Sequence, residues 1–368
     1  MDRVTLALVG GVLLLLIVAT AVAYVLRRGT AGGVDAAVLE MFRIRVRAWW
    51  LLFACLAGAF VIGQTATIVM FWLISFWALR EFITLTPTRP GDHRALFWVF
   101  FLCTPLQFFL VWLRRYDLYS TLIPVYAFLF ILARIAMSGD AKRFLERTAK
   151  IQAGLLICVY CLSFAPALLT LEIADRNAAP ADDIPGPNPP EASGEGPDEP
   201  GDASSVDGEA GDVVPDANFS ETAPRVANGR DAGGTTRLLF FFVLVVQLSD
   251  AFQFAWSRLP SRHVIVPTIS PARTWEGFLG GTASVTLAGA ALGFATPLEW
   301  WQAAVASLVI GLLGFAGGLT MSAIKRDRGV KDFGTLVEGH GGVLDRIDSI
   351  CFAAPVFFHL ARFFLAAS

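Results

Sequence analysis

Asp345-Arg346-Ile347-Asp348 sets two carboxylates three residues apart, which on a helix puts both on one face. Two close carboxylates repel unless a cation sits between them. Mg²⁺ is suited to that position, because it takes oxygen ligands and commonly binds one or two carboxylates together with substrate phosphates. The pair also reads more plainly as the acidic start of a helix, favoured there by the helix dipole. Its neighbours tilt the reading toward chemistry. His340-Gly341-Gly342 precedes it, and glycines let a backbone come close to a ligand. Lys325, Arg326 and Lys331 come before that turn and can neutralise phosphates, although basic residues beside a membrane span need no substrate to explain them. A basic cluster, a glycine turn and paired acids together predict a site for phosphate and metal.

A second group lies upstream. Asp250 follows an uncharged run in "FFFVLVVQLSDAFQFAW", and a carboxylate inside such a segment is costly and marks function by default. It lies toward the end that carries Trp256 and Arg258, so it can reach the same aqueous face as Asp345. "SPARTWEG" follows. Ser270 and Pro271 favour a turn before a helix, Arg273 offers a planar guanidinium to phosphate, and Trp275 suits a membrane interface. Glu276 reads equally as a group supporting a metal site or as a first-turn acid.

These groups hang on elements that are mostly apolar. Hydrophobic residues make up 55% of the 368 and charged residues 16%, against about 25% in soluble domains. The mean hydropathy is +0.60. Stretches near the roughly 20 residues needed to cross a bilayer recur, at about 4–26, 48–63, 66–79, 95–113, 118–137, 151–171, 238–256, 277–296, 300–320 and 349–366. The expected fold is therefore all-α, a polytopic membrane bundle of about ten helices. The first span reads as a retained helix, since Arg27 and Arg28 follow it like a stop signal. The second and third read as a tight hairpin or as one bent element.

With the amino terminus outside, 20 of the 29 basic residues fall in loops assigned to the cytoplasm, 321–348 among them. Arg114 and Arg115 are the main exception, and Arg362 falls inside a span. The stretch 172–236 holds 15 of the 31 acidic residues and almost no aromatics, so it is expected to be a disordered external linker between halves 1–171 and 237–368. Cys158-x-x-Cys161 has no second pair, and in a membrane helix it is one face of small residues. No nucleic-acid module or Walker or Rossmann loop is present in the sequence.

Taken together, Ser322-Ala323-Ile324-Lys325-Arg326, Lys331-Asp332-x-Gly334 and Gly339-His340-Gly341-Gly342-x-x-Asp345-Arg346-x-Asp348-Ser349 resemble the signature of phosphatidate cytidylyltransferases, the CDP-diacylglycerol synthases. Ser270-Pro271 with Thr274-Trp275-Glu276-Gly277 resembles a second block of that family, and Asp250 falls where the family has an Asp before it. The likeness covers about 240–368. It implies a membrane enzyme that joins CTP to phosphatidic acid, or to another lipid phosphate, and releases pyrophosphate. It also implies Mg²⁺ on Asp345, Asp348 and Asp250, with room for a second cation. Lys331 joins these three as a catalytic group, and Lys325, Arg326, Arg273, Ser270, Ser322, His340, Gly341, Gly342 and Arg346 hold substrate. Membrane lipids are the expected surroundings, a homodimer is compatible, and a bacterial inner membrane with a cytoplasmic site is expected. Gly318 stands where the family pattern has an Asp, which leaves two alternatives: a related CTP-dependent lipid kinase, or a degenerate homologue that binds nucleotide or anionic lipid as a regulator.

Overall fold

The structure is a computed structural model describing residues 53–85, 88–171, 231–259, 263–330, 333 and 341–367, with a few positions before residue 51. Most of the expected span 4–26 and the stretch 172–230 lie outside these, as do Lys331 and His340. Among the described residues eight helices are long and apolar enough to cross a membrane, and the chain is an integral membrane protein.

A short apolar helix, α1 (Phe53–Ile62), leads into α2 (Gln64–Thr84) across Gly63, whose φ of 127° interrupts the helix. Then come α3 (Pro90–Trp112), α4 (Tyr116–Ala136) and α5 (Phe144–Thr170), each with one internal π-helical turn, at Val99–Cys103, Leu122–Ala127 and Leu156–Cys161. Cys158 and Cys161 sit in the last of these turns, both as free thiols. Helix α6 (Asp231–Trp256) starts inside the stretch expected as linker, where Arg237 turns back to donate to the Gly233 carbonyl. Helices α7 (Trp275–Leu292), α8 (Trp300–Asp327) and α9 (Leu344–Ala367) complete the set.

One departure from the all-α expectation matters for the site. Val264–Val266 (β1) and Ser270–Thr274 (β2) pair as an antiparallel hairpin before α7. The turn expected at Ser270-Pro271 is thus a strand, and the chain reverses at 267–269 instead. Thr274 then caps α7, its hydroxyl accepting from the Gly277 N–H at 3.1 Å.

Helices α6 to α9 pack in sequence order, and α9 also packs against α2 and α5, so it joins the two halves. Small residues allow the close approach of α6 and α7: a Cβ at Gly281 would lie 2.7 Å from the Gln253 backbone. In the first half a buried ion cluster ties α3 to α5. Arg147 donates through Nε to both oxygens of Asp92 at 3.0 Å and lies 3.1 Å from Asp140, which Arg89 also reaches at 2.9 Å. Arg89 and hydrogen bonding to the Lys142 N–H hold the Asp140 carboxyl below its ordinary range.

Candidate active site

The signature residues converge where α6, α8, α9 and the hairpin meet. They line a cavity of about 310 Å³ that takes in Asp250, Ser270, Arg273, Ser322, Lys325, Asp345, Arg346 and Asp348. Asp250 and Asp348, 98 positions apart in the chain, thereby line one pocket.

Asp345 occupies the first turn of α9. One of its oxygens accepts from Lys325 Nζ at 2.8 Å; the other accepts the Phe333 N–H at 2.9 Å and the Gly342 N–H at 3.0 Å. Both oxygens therefore hold the loop between α8 and α9 in place. Phe333 is buried between Lys325, whose ammonium lies 5.5 Å from its ring centroid, and Phe82 of α2, stacked at 6.3 Å.

Asp348 lies one turn further on and faces a different partner. Ser349 Oγ donates to Asp250 Oδ1 at 3.0 Å and lies 3.5 Å from Asp348 Oδ1, so the two carboxylates flank one hydroxyl. Arg273 reaches toward them from β2. Its Nη1 donates to the Phe315 carbonyl at 3.2 Å, and its Cζ lies 5.0 Å from the Phe315 ring centroid. Burial pulls this guanidinium below the usual arginine range, while Asp348 and Asp250 act in the opposite direction.

Gly318 lies directly beneath that guanidinium. A Cβ there would sit 2.9 Å from Arg273 Cζ and closer still to Nη2. The space a side chain at 318 would fill is thus taken by a fixed positive group. Ser322 donates to the Gly318 carbonyl at 2.7 Å, which leaves its oxygen toward the cavity.

Not every expected residue points inward. Arg326 donates through Nε to the Ile269 carbonyl at 3.3 Å, pinning the hairpin turn to the end of α8. Glu276 pairs with His263, at 2.7 Å from Nδ1, and accepts its backbone N–H, so it braces the hairpin. Gly341 carries φ 78°, a conformation that favours glycine.

One residue in the site's scaffold is not predicted by the sequence. Glu81 is a buried carboxylate near the end of α2, and it accepts the N–H groups of Val343 and Leu344 at 3.0 and 2.9 Å. It supplies acceptors for N–H groups at the start of α9. A Cβ on Gly342 would lie 2.7 Å from the Glu81 Cδ, so the glycine makes room for the carboxylate. The only sequence signal is an acid at the edge of an apolar stretch, where Arg80-Glu81 reads as the start of a loop.

A profile of the Cytidylyltransferase family matches residues 43–364. The chain belongs to this family. Among similar proteins, this cytidylyltransferase-family member is 32% identical to the Escherichia coli K12 protein YnbB, described as uncharacterized, over 87% of each chain. It is 37% identical to a Staphylococcus epidermidis phosphatidate cytidylyltransferase over 33% of this chain and 47% of that enzyme. The Mycobacterium leprae phosphatidate cytidylyltransferase is 36% identical over 38% of this chain and 44% of its own. The family member thus spans about half the length of the phosphatidate cytidylyltransferases it matches.

Two outcomes follow from the geometry. Gly318→Asp will lower turnover by about 10²-fold, because the new carboxylate draws Arg273 away from Asp348 and Asp250. Gly318→Ala will cost less, and steady-state rates of both variants check the order. Separately, Glu81→Ala leaves two buried N–H groups without acceptors and destabilises by about 2 kcal/mol. Gly342→Ala destabilises through overlap. The double variant will be no less stable than Glu81→Ala alone, since removing the carboxylate makes the room, and thermal unfolding in detergent reads this non-additivity.

Proposed function

We propose that this chain transfers the cytidylyl group of CTP to the phosphate of phosphatidic acid, giving CDP-diacylglycerol and pyrophosphate. The observation that carries the reading is the cavity itself. It sets the Asp250–Asp348 carboxylate pair opposite Lys325 and Arg273 at the end of apolar helices, where a soluble nucleotide can meet a lipid headgroup. In the reaction, a lipid phosphate oxygen attacks the α-phosphorus, the bond to the β-phosphate breaks, and its electron pair leaves with pyrophosphate. Little covalent help is needed, so positioning and charge neutralisation dominate.

The donor set suits Mg²⁺. Among the described residues no three acidic, His or Cys side chains converge. Two carboxylates with water and phosphate oxygens are nevertheless an ordinary shell for this ion. Asp348 and Asp250 would hold it. When bound, it would neutralise phosphate oxygens and favour departure of pyrophosphate. In this reading Asp345 is a positioning group rather than a metal ligand; supporting this, its oxygens accept from Lys325 and two backbone N–H groups. Through that contact Asp345 orients Lys325, and Arg273 holds phosphate oxygens from the other wall. Lys331 and His340 belong to the same segment by sequence, and the family resemblance implies that they contact substrate phosphates. The site is expected to face the cytoplasm of a bacterial inner membrane, where CTP is available.

A second reading keeps the cytidylyl transfer and changes the acceptor lipid. Likeness to YnbB runs over 87% of the chain, whereas likeness to the phosphatidate cytidylyltransferases runs over about a third. The cytidylyl transfer is therefore common to both readings, and the lipid phosphate that receives it can differ.

Purified protein with labelled CTP, phosphatidic acid and Mg²⁺ tests the reading. Labelled lipid and pyrophosphate will form together, and Asp348→Asn will lower both by about 10²-fold or more with an unchanged unfolding temperature. Full activity in Asp348→Asn would overturn the metal assignment. CTP binding without labelled lipid would move the acceptor to another lipid phosphate.

A further inference from the structure

Three arginines at the opposite end of the bundle have no part in the site above. Arg362 lies about 26 Å along α9 from Asp345 at 1.5 Å per residue, close to the thickness of a bilayer's hydrocarbon core. Arg114 and Arg115 form the turn between α3 and α4. The fold brings these positions together through Tyr116, the first residue of α4. The Tyr116 ring stacks on Phe358 at 6.1 Å and lies 4.0 Å beneath the Arg362 guanidinium carbon. His359 Nδ1 faces the Pro355 carbonyl at 2.6 Å, so that nitrogen carries the proton. Nε2 then accepts from the Tyr116 hydroxyl at 3.0 Å.

The turn itself is fixed. Trp112 Nε1 donates to Thr65 Oγ1, and Arg114 donates to Gln64 Oε1, both at 3.3 Å. Arg114 also holds a φ of 57°, a left-handed conformation costly for any residue but glycine. Asp117 is the nearest acid in sequence, yet among the described residues no ion pair joins it or any other carboxylate to these three arginines. All three are exposed.

The surroundings say what covers them. Exposed Trp112, Trp300 and Trp301 mark this end of the bundle as an interfacial belt, with Trp301 packed on Phe364 at 5.5 Å. Exposed Leu113, Leu118 and Phe363 lie beside the arginines. An occupant that matches both is an amphiphile with a phosphate and acyl chains. We propose that Arg115 and Arg362, supported by Arg114 and the Tyr116 ring, bind the phosphate of an anionic phospholipid in the leaflet opposite the CTP-facing cavity. Planar guanidinium groups suit a phosphate diester, and the aromatic face beneath Arg362 keeps its donors turned outward.

The test is thermal unfolding of the full chain in neutral detergent, titrated with phosphatidylglycerol, with phosphatidylcholine or with inorganic phosphate. Phosphatidylglycerol will raise the unfolding temperature and the other two will not. Arg115→Gln and Arg362→Gln will each weaken half-saturation about fivefold, and Lys325→Gln will leave it unchanged. An equal shift with inorganic phosphate would mean a free anion and overturn the lipid assignment. A shift lost in Lys325→Gln but kept in the arginine variants would place the lipid in the other cavity and overturn it too. No shift in the wild type would also defeat the proposal.

Discussion

The arrangement rests on two carboxylates that fix the start of α9 and the residues leading into it. Glu81 takes the N–H groups of Val343 and Leu344; Asp345 takes those of Phe333 and Gly342 and the ammonium of Lys325. A helix start has free N–H donors and a positive dipole end, so both acids are favoured there electrostatically as well as by hydrogen bonding. One acid comes from α2 and the other from α9 itself. The first half of the bundle therefore fixes the loop that carries the second half's chemistry. Phe82 reinforces this by stacking on Phe333 next to Glu81.

That division of labour leaves a different pair of acids facing the cavity. Asp348 and Asp250 come from separate helices and meet only because α6 and α9 pack side by side, with Ser349 between them. Arg273, carried in by the hairpin, supplies a fixed charge against them, and Gly318 leaves space for its guanidinium. Arg326 and Glu276, which look like substrate or metal groups in the sequence, instead secure the hairpin that delivers Arg273. The site thus depends on a small β element within an otherwise helical protein.

Much of this was legible from residue order. The apolar periodicity placed the spans, the lone Asp250 in its apolar run pointed to the site, and residues 322–349 carried the cluster in one continuous segment. What stayed hidden depends on contacts across the chain. Glu81 is separated from Leu344 by most of the protein, and nothing local distinguishes it from any acid at a helix edge. Ser270-Pro271 reads as a turn because Pro usually leaves a strand, yet here it sits on the edge of a two-stranded ribbon, where its missing N–H costs little. Arg114 and Arg115 stood out only as exceptions to the charge bias, and their meaning needed Tyr116 packed on α9.

The proposed function divides the two acids, Asp345 ordering the start of α9 and Asp348 serving the chemistry. Hydrogen exchange across residues 341–350, measured in Asp345→Asn and Asp348→Asn, tests it most directly. Faster exchange at Gly342 in Asp345→Asn, with wild-type protection in Asp348→Asn, is expected, because Asp345 accepts the Gly342 N–H. Equal protection in both variants, or loss only in Asp348→Asn, would contradict it.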